Sequence, residues 1–151
     1  MRASLFLNYR NHYNQKNHSS DKMKNIFHKG DTKTFVHVVT NADTATFESG
    51  TVHELYSTFA LGRDAEWCTR LFVLEMKDAD EEGIGTFVNI QHLSPAPVGS
   101  EVVFTGTYQE LKGNQLTCSF EAKVGNRMIA KGITGQKIIS KEKLRLLLNS
   151  I

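Results

Sequence analysis

Apolar residues recur at helical spacing through Thr51–Lys77 and at alternating spacing on either side of it. Leu55, Phe59, Gly62, Thr69, Val73 and Met76 fall three, four or seven residues apart, which marks one face of a helix. Thr51 followed by Glu54 has the form of a capping box. No proline interrupts the stretch from there to Lys77, and the acidic run from Asp78 to Gly83 ends it. The pattern predicts a helix of about 25 residues, roughly 37 Å long at 1.5 Å per residue. Glu66 falls on the same stripe, seven residues from both Phe59 and Val73. A carboxylate on a face meant for burial is costly unless something pairs or uses it, so Glu66 is the first candidate for chemistry.

Before the helix, Thr32–Thr40 has the β-branched enrichment of a strand, and residues 41–50 read as a polar connection. After it come Ile84–Leu93, the turn-rich Ser94–Gly99, and a strand over Glu101–Leu111. Lys112-Gly-Asn114 signals a hairpin into Gln115–Val124, where Leu116, Cys118, Phe120, Ala122 and Val124 alternate with polar residues. Gly125-Asn126 is a second tight turn, Arg127–Ile139 the last strand, and Ser140–Asn149 a short terminal helix. The predicted order is one strand, the long helix, then four strands joined by short turns. Short connections make antiparallel neighbours, and the apolar face of such a sheet needs a covering layer. The central helix is the one element long enough. The expected class is therefore α+β, a hot-dog fold with a curved antiparallel five-stranded sheet wrapped around one long helix. Exposed outer strands favour a homodimer that covers an edge.

Composition sets bounds on function. At 151 residues and 40% hydrophobic content, the chain fits one domain with a sizeable core. Residues 1–22 are Asn-, His-, Ser- and Lys-rich and read as a flexible extension ahead of a domain over 23–151. Four of the 18 basic and one of the 16 acidic residues lie in 1–22, so 14 and 15 remain in 23–151. The expected folded part is near neutral and shows no clustered basic face of the kind nucleic acids require. No apolar run approaches the ~20 residues of a membrane span. Cys68 and Cys118 are far apart in sequence, without metal-ligand spacing, and read as reduced thiols of a cytoplasmic protein.

In strand 84–93, alternation puts Ile84, Thr86, Val88, Ile90 and His92 on one face and Gly85 on the other. With that face toward the helix, His92 and Glu66 can meet as proton carrier and carboxylate. A satisfied core histidine and a structural acid are the plainer alternative. Arg63 and Asp64 lie off the stripe and read as solvated or interface charges, and His37 shares parity with Phe35 and Val39.

The run Leu55-Tyr-Ser-Thr58, then Glu66-Trp67, then Gly85-Thr86 with His92 seven residues after Gly85, resembles the fluoroacetyl-CoA thioesterase group of hot-dog enzymes. The similarity covers most of 30–140. It implies a catalytic set of Thr58, Glu66 and His92, with the Gly85 backbone beside the thioester carbonyl and Thr86 and Gln136 in contact with substrate. That group carries an arginine where this chain has Gln136, which points to general acyl-CoA hydrolysis instead of fluorine-selective chemistry. The residue types suit the reaction. Glu66 can act as nucleophile or base, His92 can move protons, and Thr58 can hold His92 or the substrate oxygen. A backbone N–H at Gly85 or Thr86 can face an oxyanion. Attack through a mixed anhydride and activation of water both remain open. The expected substrate is an acyl-CoA, with no separate cofactor and no metal. The rivals are a non-catalytic acyl-CoA-binding module and an enoyl-thioester hydratase, although the Asp-x4-His spacing of hot-dog hydratases is absent.

Overall fold

The computed structural model describes residues 24–151, and the extension expected over 1–22 lies outside them. The chain runs β1 (Thr32–Val38), a 3₁₀ turn (Asn41–Asp43), β2 (Thr44–Phe47), β3 (Gly50–Tyr56), α1 (Thr58–Met76), β4 (Glu81–His92), β5 (Glu101–Lys112), β6 (Gln115–Val124), β7 (Arg127–Ser140) and α2 (Lys141–Leu148). Five strands form one antiparallel sheet in the order β1-β5-β6-β7-β4, and β2 and β3 pair as a separate hairpin. The expected α+β hot-dog architecture is present, with α1 lying across one face of the sheet. Two-residue turns at Gly113-Asn114 and Gly125-Asn126 set the β5–β6–β7 register, the glycines adopting φ of +59° and +56°. Among the described residues, no helix is long and apolar enough to cross a membrane.

The core forms where α1 meets the sheet. Leu61, Ala65, Cys68, Phe72 and Met76 are fully buried at spacings of three and four, against Phe104, Leu116, Phe120 and Ile129. Each large apolar side chain sealed there stabilises by about 1.5–3 kcal/mol. This row is the true centre of the helix face. The expected stripe shares Met76 with this row and otherwise runs beside it: Gly62, Thr69 and Val73 are buried, while Phe59 is 57% exposed. Gly106 permits the close approach, since a Cβ there would sit 3.1 Å from Thr69 Cγ2 and 3.3 Å from Cys68 Sγ.

Three local expectations change. The helix begins at Thr58, not Thr51, because Ser57 is the cap and accepts from Ala60 N–H at 3.2 Å. Thr51–Tyr56 is β-strand, pairing with β2 and bridging from Leu55 to Pro97, so the Thr51/Glu54 box caps nothing. The polar connection 41–50 holds the 3₁₀ turn and β2. Strands β4 and β5 are sequential but not adjacent: β4 lies at the far edge beside β7, and residues 93–100 cross the sheet.

The phase of β4 also changes midway. Gly85 pairs with Gln136 and Phe87 with Gly135, so Thr86 has no opposite residue and forms a β-bulge. Up to the bulge, Gly83 and Gly85 face α1; a Cβ on Gly83 would overlap Val73, and one on Gly85 would overlap Glu66. Beyond it, Ile90 and His92 face α1, as expected. Ile84 and Thr86 do not share that face. The Thr86 hydroxyl accepts instead from Gln115 Nε2 at 3.0 Å.

Candidate active site

Two groups of the expected residues assemble, at different heights along α1. At its N-terminus, Ser57 N–H donates to Asp43 O (2.9 Å) and Tyr56 N–H to Ala96 O (2.8 Å), which fixes where the first helical turn starts. Thr58 is the first helical residue and His92 the last of β4, and Thr58 Oγ1 lies 3.2 Å from His92 Nδ1. The opposite ring nitrogen, Nε2, is buried and has no hydrogen-bond partner among the described residues. This pair opens on a cleft of about 500 Å³ between the β2–β3 hairpin, the start of α1 and residues 92–95.

Two turns further along α1, Glu66 lies half-buried against β4. A Cβ on Gly85 would overlap Glu66 Oε1 and lie 3.0 Å from its Cδ, so the carboxylate occupies the space that glycine leaves open. The carboxylate oxygens have no hydrogen-bond partner among the described residues. Gln136 is buried beneath, opposite Gly85; its Nε2 donates to Thr69 Oγ1 (3.3 Å) and Glu66 O (3.4 Å), and its Oε1 has no partner among the described residues. Thr134 Oγ1 donates to Thr69 Oγ1 at 2.8 Å, completing a polar floor under Glu66.

The structure therefore joins Thr58 to His92, and Glu66 to Gly85 and Gln136. It does not bring the two groups together within one chain. Eight helical residues separate Thr58 from Glu66, about 12 Å of rise. The seven residues from Gly85 to His92 span roughly 20 Å of strand.

A further polar cluster sits behind Thr58 and includes Arg63 and Asp64, which the sequence pattern presents as solvated or interface charges. Asp64 is buried; its carboxylate accepts from the Tyr56 hydroxyl and from Arg63 Nε at 2.8 Å. Arg63 Nη2 also donates to Asp43 Oδ1 at 2.8 Å, and His37 Nε2 lies 2.7 Å from Asp43 Oδ2. Burial favours a protonated Asp43, yet hydrogen bonds from the Thr40 backbone, Arg63, His37 and the Thr40 hydroxyl hold its carboxyl well below the usual range. Burial first, and then the bond to Asp64, push the Tyr56 phenol far above its ordinary value. The His37, Asp43 and Asp64 ligand atoms lie within 4.8 Å of one another, but the Arg63 guanidinium already spans both carboxylates. Asp64 lies off the expected stripe, so only its pairing with Tyr56, eight residues earlier, could have revealed it.

A family model described as fluoroacetyl-CoA-specific thioesterase matches residues 39–142. A comparison with curated proteins finds no match. Among solved structures, a hypothetical protein of Thermus thermophilus described as a thioesterase superfamily member is 31% identical; the match covers 81% of this chain and 90% of that one, with a TM-score of 0.78. A point mutant of the fluoroacetyl-CoA-specific thioesterase FlK is 22% identical over 84% of this chain and 98% of that one, TM-score 0.75. A hot-dog-like protein from Thermanaerovibrio acidaminovorans is 22% identical over 82% and 92%, also with a TM-score of 0.75. With a family model spanning more than half its length and the matching sheet-and-helix architecture, the chain belongs to the fluoroacetyl-CoA-specific thioesterase family, thioester hydrolases built on the hot-dog fold.

Proposed function

We propose that this thioesterase hydrolyses acyl-CoA esters in a homodimer, where Thr58 and His92 of one protomer work with Glu66 of the partner subunit. The observation that carries this reading is the separation of the two groups. Thr58–His92 and Glu66–Gly85 are each well formed, yet they lie two helical turns apart. A twofold axis that sets two α1 helices antiparallel brings each half against the complementary half of the other copy. The β4 edge has no strand partner among the described residues; on β4 itself Phe87 and Val88 are exposed, as is Trp67 beside Glu66 on α1. A point mutant of FlK, similar in fold, has been solved in complex with fluoroacetate and CoA, which supports a CoA ester as substrate.

The chemistry is set by the groups present. A C–O bond forms at the acyl carbon, the C–S bond breaks, and the CoA thiolate leaves with a proton. Glu66 either removes a proton from the attacking water or itself attacks the carbonyl, and water then hydrolyses the anhydride. His92, held by Thr58, carries the proton to the thiolate. A backbone N–H at the Gly85-Thr86 bulge donates to the developing oxyanion. Cys68 and Cys118 are both buried free thiols, which fits a reducing, cytoplasmic setting.

Mixing two dead variants tests the arrangement. Glu66→Gln and His92→Ala should each lower turnover by a factor on the order of 10² or more. Unfolded together and refolded at equal ratio, half the dimers are mixed, and each mixed dimer carries one intact site. About a quarter of wild-type activity should return. If all three residues served a site within one protomer, no intact site would form, and recovery near zero would refute the shared site.

A further inference from the structure

The cleft beside Thr58 and His92 carries information about the acyl group, and the inference drawn from it rests on the proposed hydrolase activity. None of the residues lining it is an aspartate, glutamate, lysine or arginine. Several of its hydroxyls already hold a partner. Ser57 Oγ accepts from Ala60 N–H, the Tyr56 hydroxyl donates to Asp64, and Ser94 Oγ donates to Met128 O (2.9 Å) while accepting from Arg127 (2.8 Å). Apart from Thr58, His92, the exposed His53 and the Ser57 O–H, the side chains of the walls offer mainly carbon. Phe47, Val52 and Phe59 are 57–63% exposed, and the Phe47 and Phe59 rings meet edge-on at 6.3 Å. Pantetheine has two amides and a hydroxyl that need polar partners, whereas an apolar acyl group needs none. The cation beside it, Arg127, is already engaged by Ser94 Oγ and Pro95 O, so a carboxylate entering such walls would exchange its water for no more than the two histidines, Thr58 and the Ser57 hydroxyl.

We propose that this cleft is the acyl subsite and selects uncharged apolar acyl groups, medium-chain or aromatic, over acetyl and over acyl groups ending in a carboxylate. The volume falls in the range of small-molecule sites. Acetyl would leave most of the apolar wall wet. A fully buried methylene multiplies kcat/KM by about four and a half-buried one by about two. Six half-buried methylenes beyond acetyl therefore give a preference of roughly 60-fold for octanoyl-CoA.

The test is thiol release by the full chain from acetyl-, octanoyl-, phenylacetyl- and succinyl-CoA. We expect kcat/KM for octanoyl- and phenylacetyl-CoA to exceed that for acetyl-CoA by at least about tenfold, with succinyl-CoA lowest. Phe47→Arg places a cation on an exposed wall position, where folding tolerates it. It should raise the succinyl-to-octanoyl ratio by about tenfold or more. Acetyl-CoA turned over as well as octanoyl-CoA would overturn the proposal and leave the cleft to pantetheine or to the second protomer. So would a succinyl-to-octanoyl ratio that Phe47→Arg leaves unmoved. Turnover of none of the four would overturn the hydrolase reading, and the proposal with it.

Discussion

Replacing Gly85 with alanine adds one methyl group at the point where β4 and Glu66 touch. The new Cβ would overlap Glu66 Oε1, with Cδ at 3.0 Å and Oε2 at 3.3 Å. Ordinary contact requires the carboxylate to retreat by about 1 Å. Gly85 is not among the glycines with positive φ, so alanine adds no backbone strain. The overlapped atom is the free end of a long side chain, so the overpacking cost should lie near the low end of the usual range, about 1 kcal/mol, a few degrees in Tm. Misplacing a catalytic group by 1 Å costs about 10²-fold in rate. We therefore expect Gly85→Ala to stay folded while kcat for thiol release falls about 10²-fold and KM changes little. Circular dichroism melts run beside steady-state kinetics separate the two effects. A folded Gly85→Ala enzyme with wild-type kcat would show that the Glu66 position against β4 does not matter to the reaction.

The charge cluster behind Thr58 should act on stability. Asp64→Asn removes the anion that Arg63 and the Tyr56 hydroxyl share; we expect a loss of about 2–3 kcal/mol in urea unfolding, below the full cost of breaking a buried pair because Arg63 is half exposed. An unchanged urea midpoint would refute this. Asp43 has a folded-state pKa below its unfolded value, so its contribution is fully present above about pH 4 and is lost as pH falls toward the lower folded value. Asp43→Asn should flatten the wild-type slope of stability against pH between about 2 and 4, and an identical slope would overturn the assignment.

The sheet was legible because its signals are local. Gly113-Asn114 and Gly125-Asn126 force tight turns, and the alternation in β6 leaves one register that buries Leu116, Cys118 and Phe120. The start of α1 was not legible, because Thr51–Tyr56 satisfies both readings. Its periodicity suits a helix, while Val52 and the β-branched Thr51 suit a strand. Tertiary pairing decides: Leu55 bridges Pro97, and Val98 N–H reaches Glu54 O, partners more than 40 residues away. The role of Arg63 and Asp64 was hidden for a related reason. Their partners come from β3 and the 3₁₀ turn, so local patterning shows two charges on a helix and nothing to neutralise them.

The Gly85-to-His92 spacing explains why strand parity misled and what the bulge supplies. Seven residues is an odd number, and a regular strand would send the two side-chain positions to opposite faces. Thr86 is the added residue, and by absorbing one position it leaves both Gly85 and His92 toward α1. Deleting Thr86 would leave an even spacing, so both residues would still face the helix and the pairing with β7 would become regular. The side chains of the site would survive. What would vanish is the unpaired backbone of the bulge beside Glu66, the group assigned to the oxyanion. Loss of one such donor lowers kcat by about 10²–10³. We expect the Thr86 deletion to fold, to bind octanoyl-CoA in calorimetry, and to lose turnover on that scale. Thr86→Ala retains the backbone and removes only the hydroxyl that Gln115 holds on the outer face, so it should keep turnover within a few-fold of wild type. A folded deletion variant with wild-type kcat would move the oxyanion donor elsewhere, with the N-terminus of α1 at Thr58 as the remaining place to look.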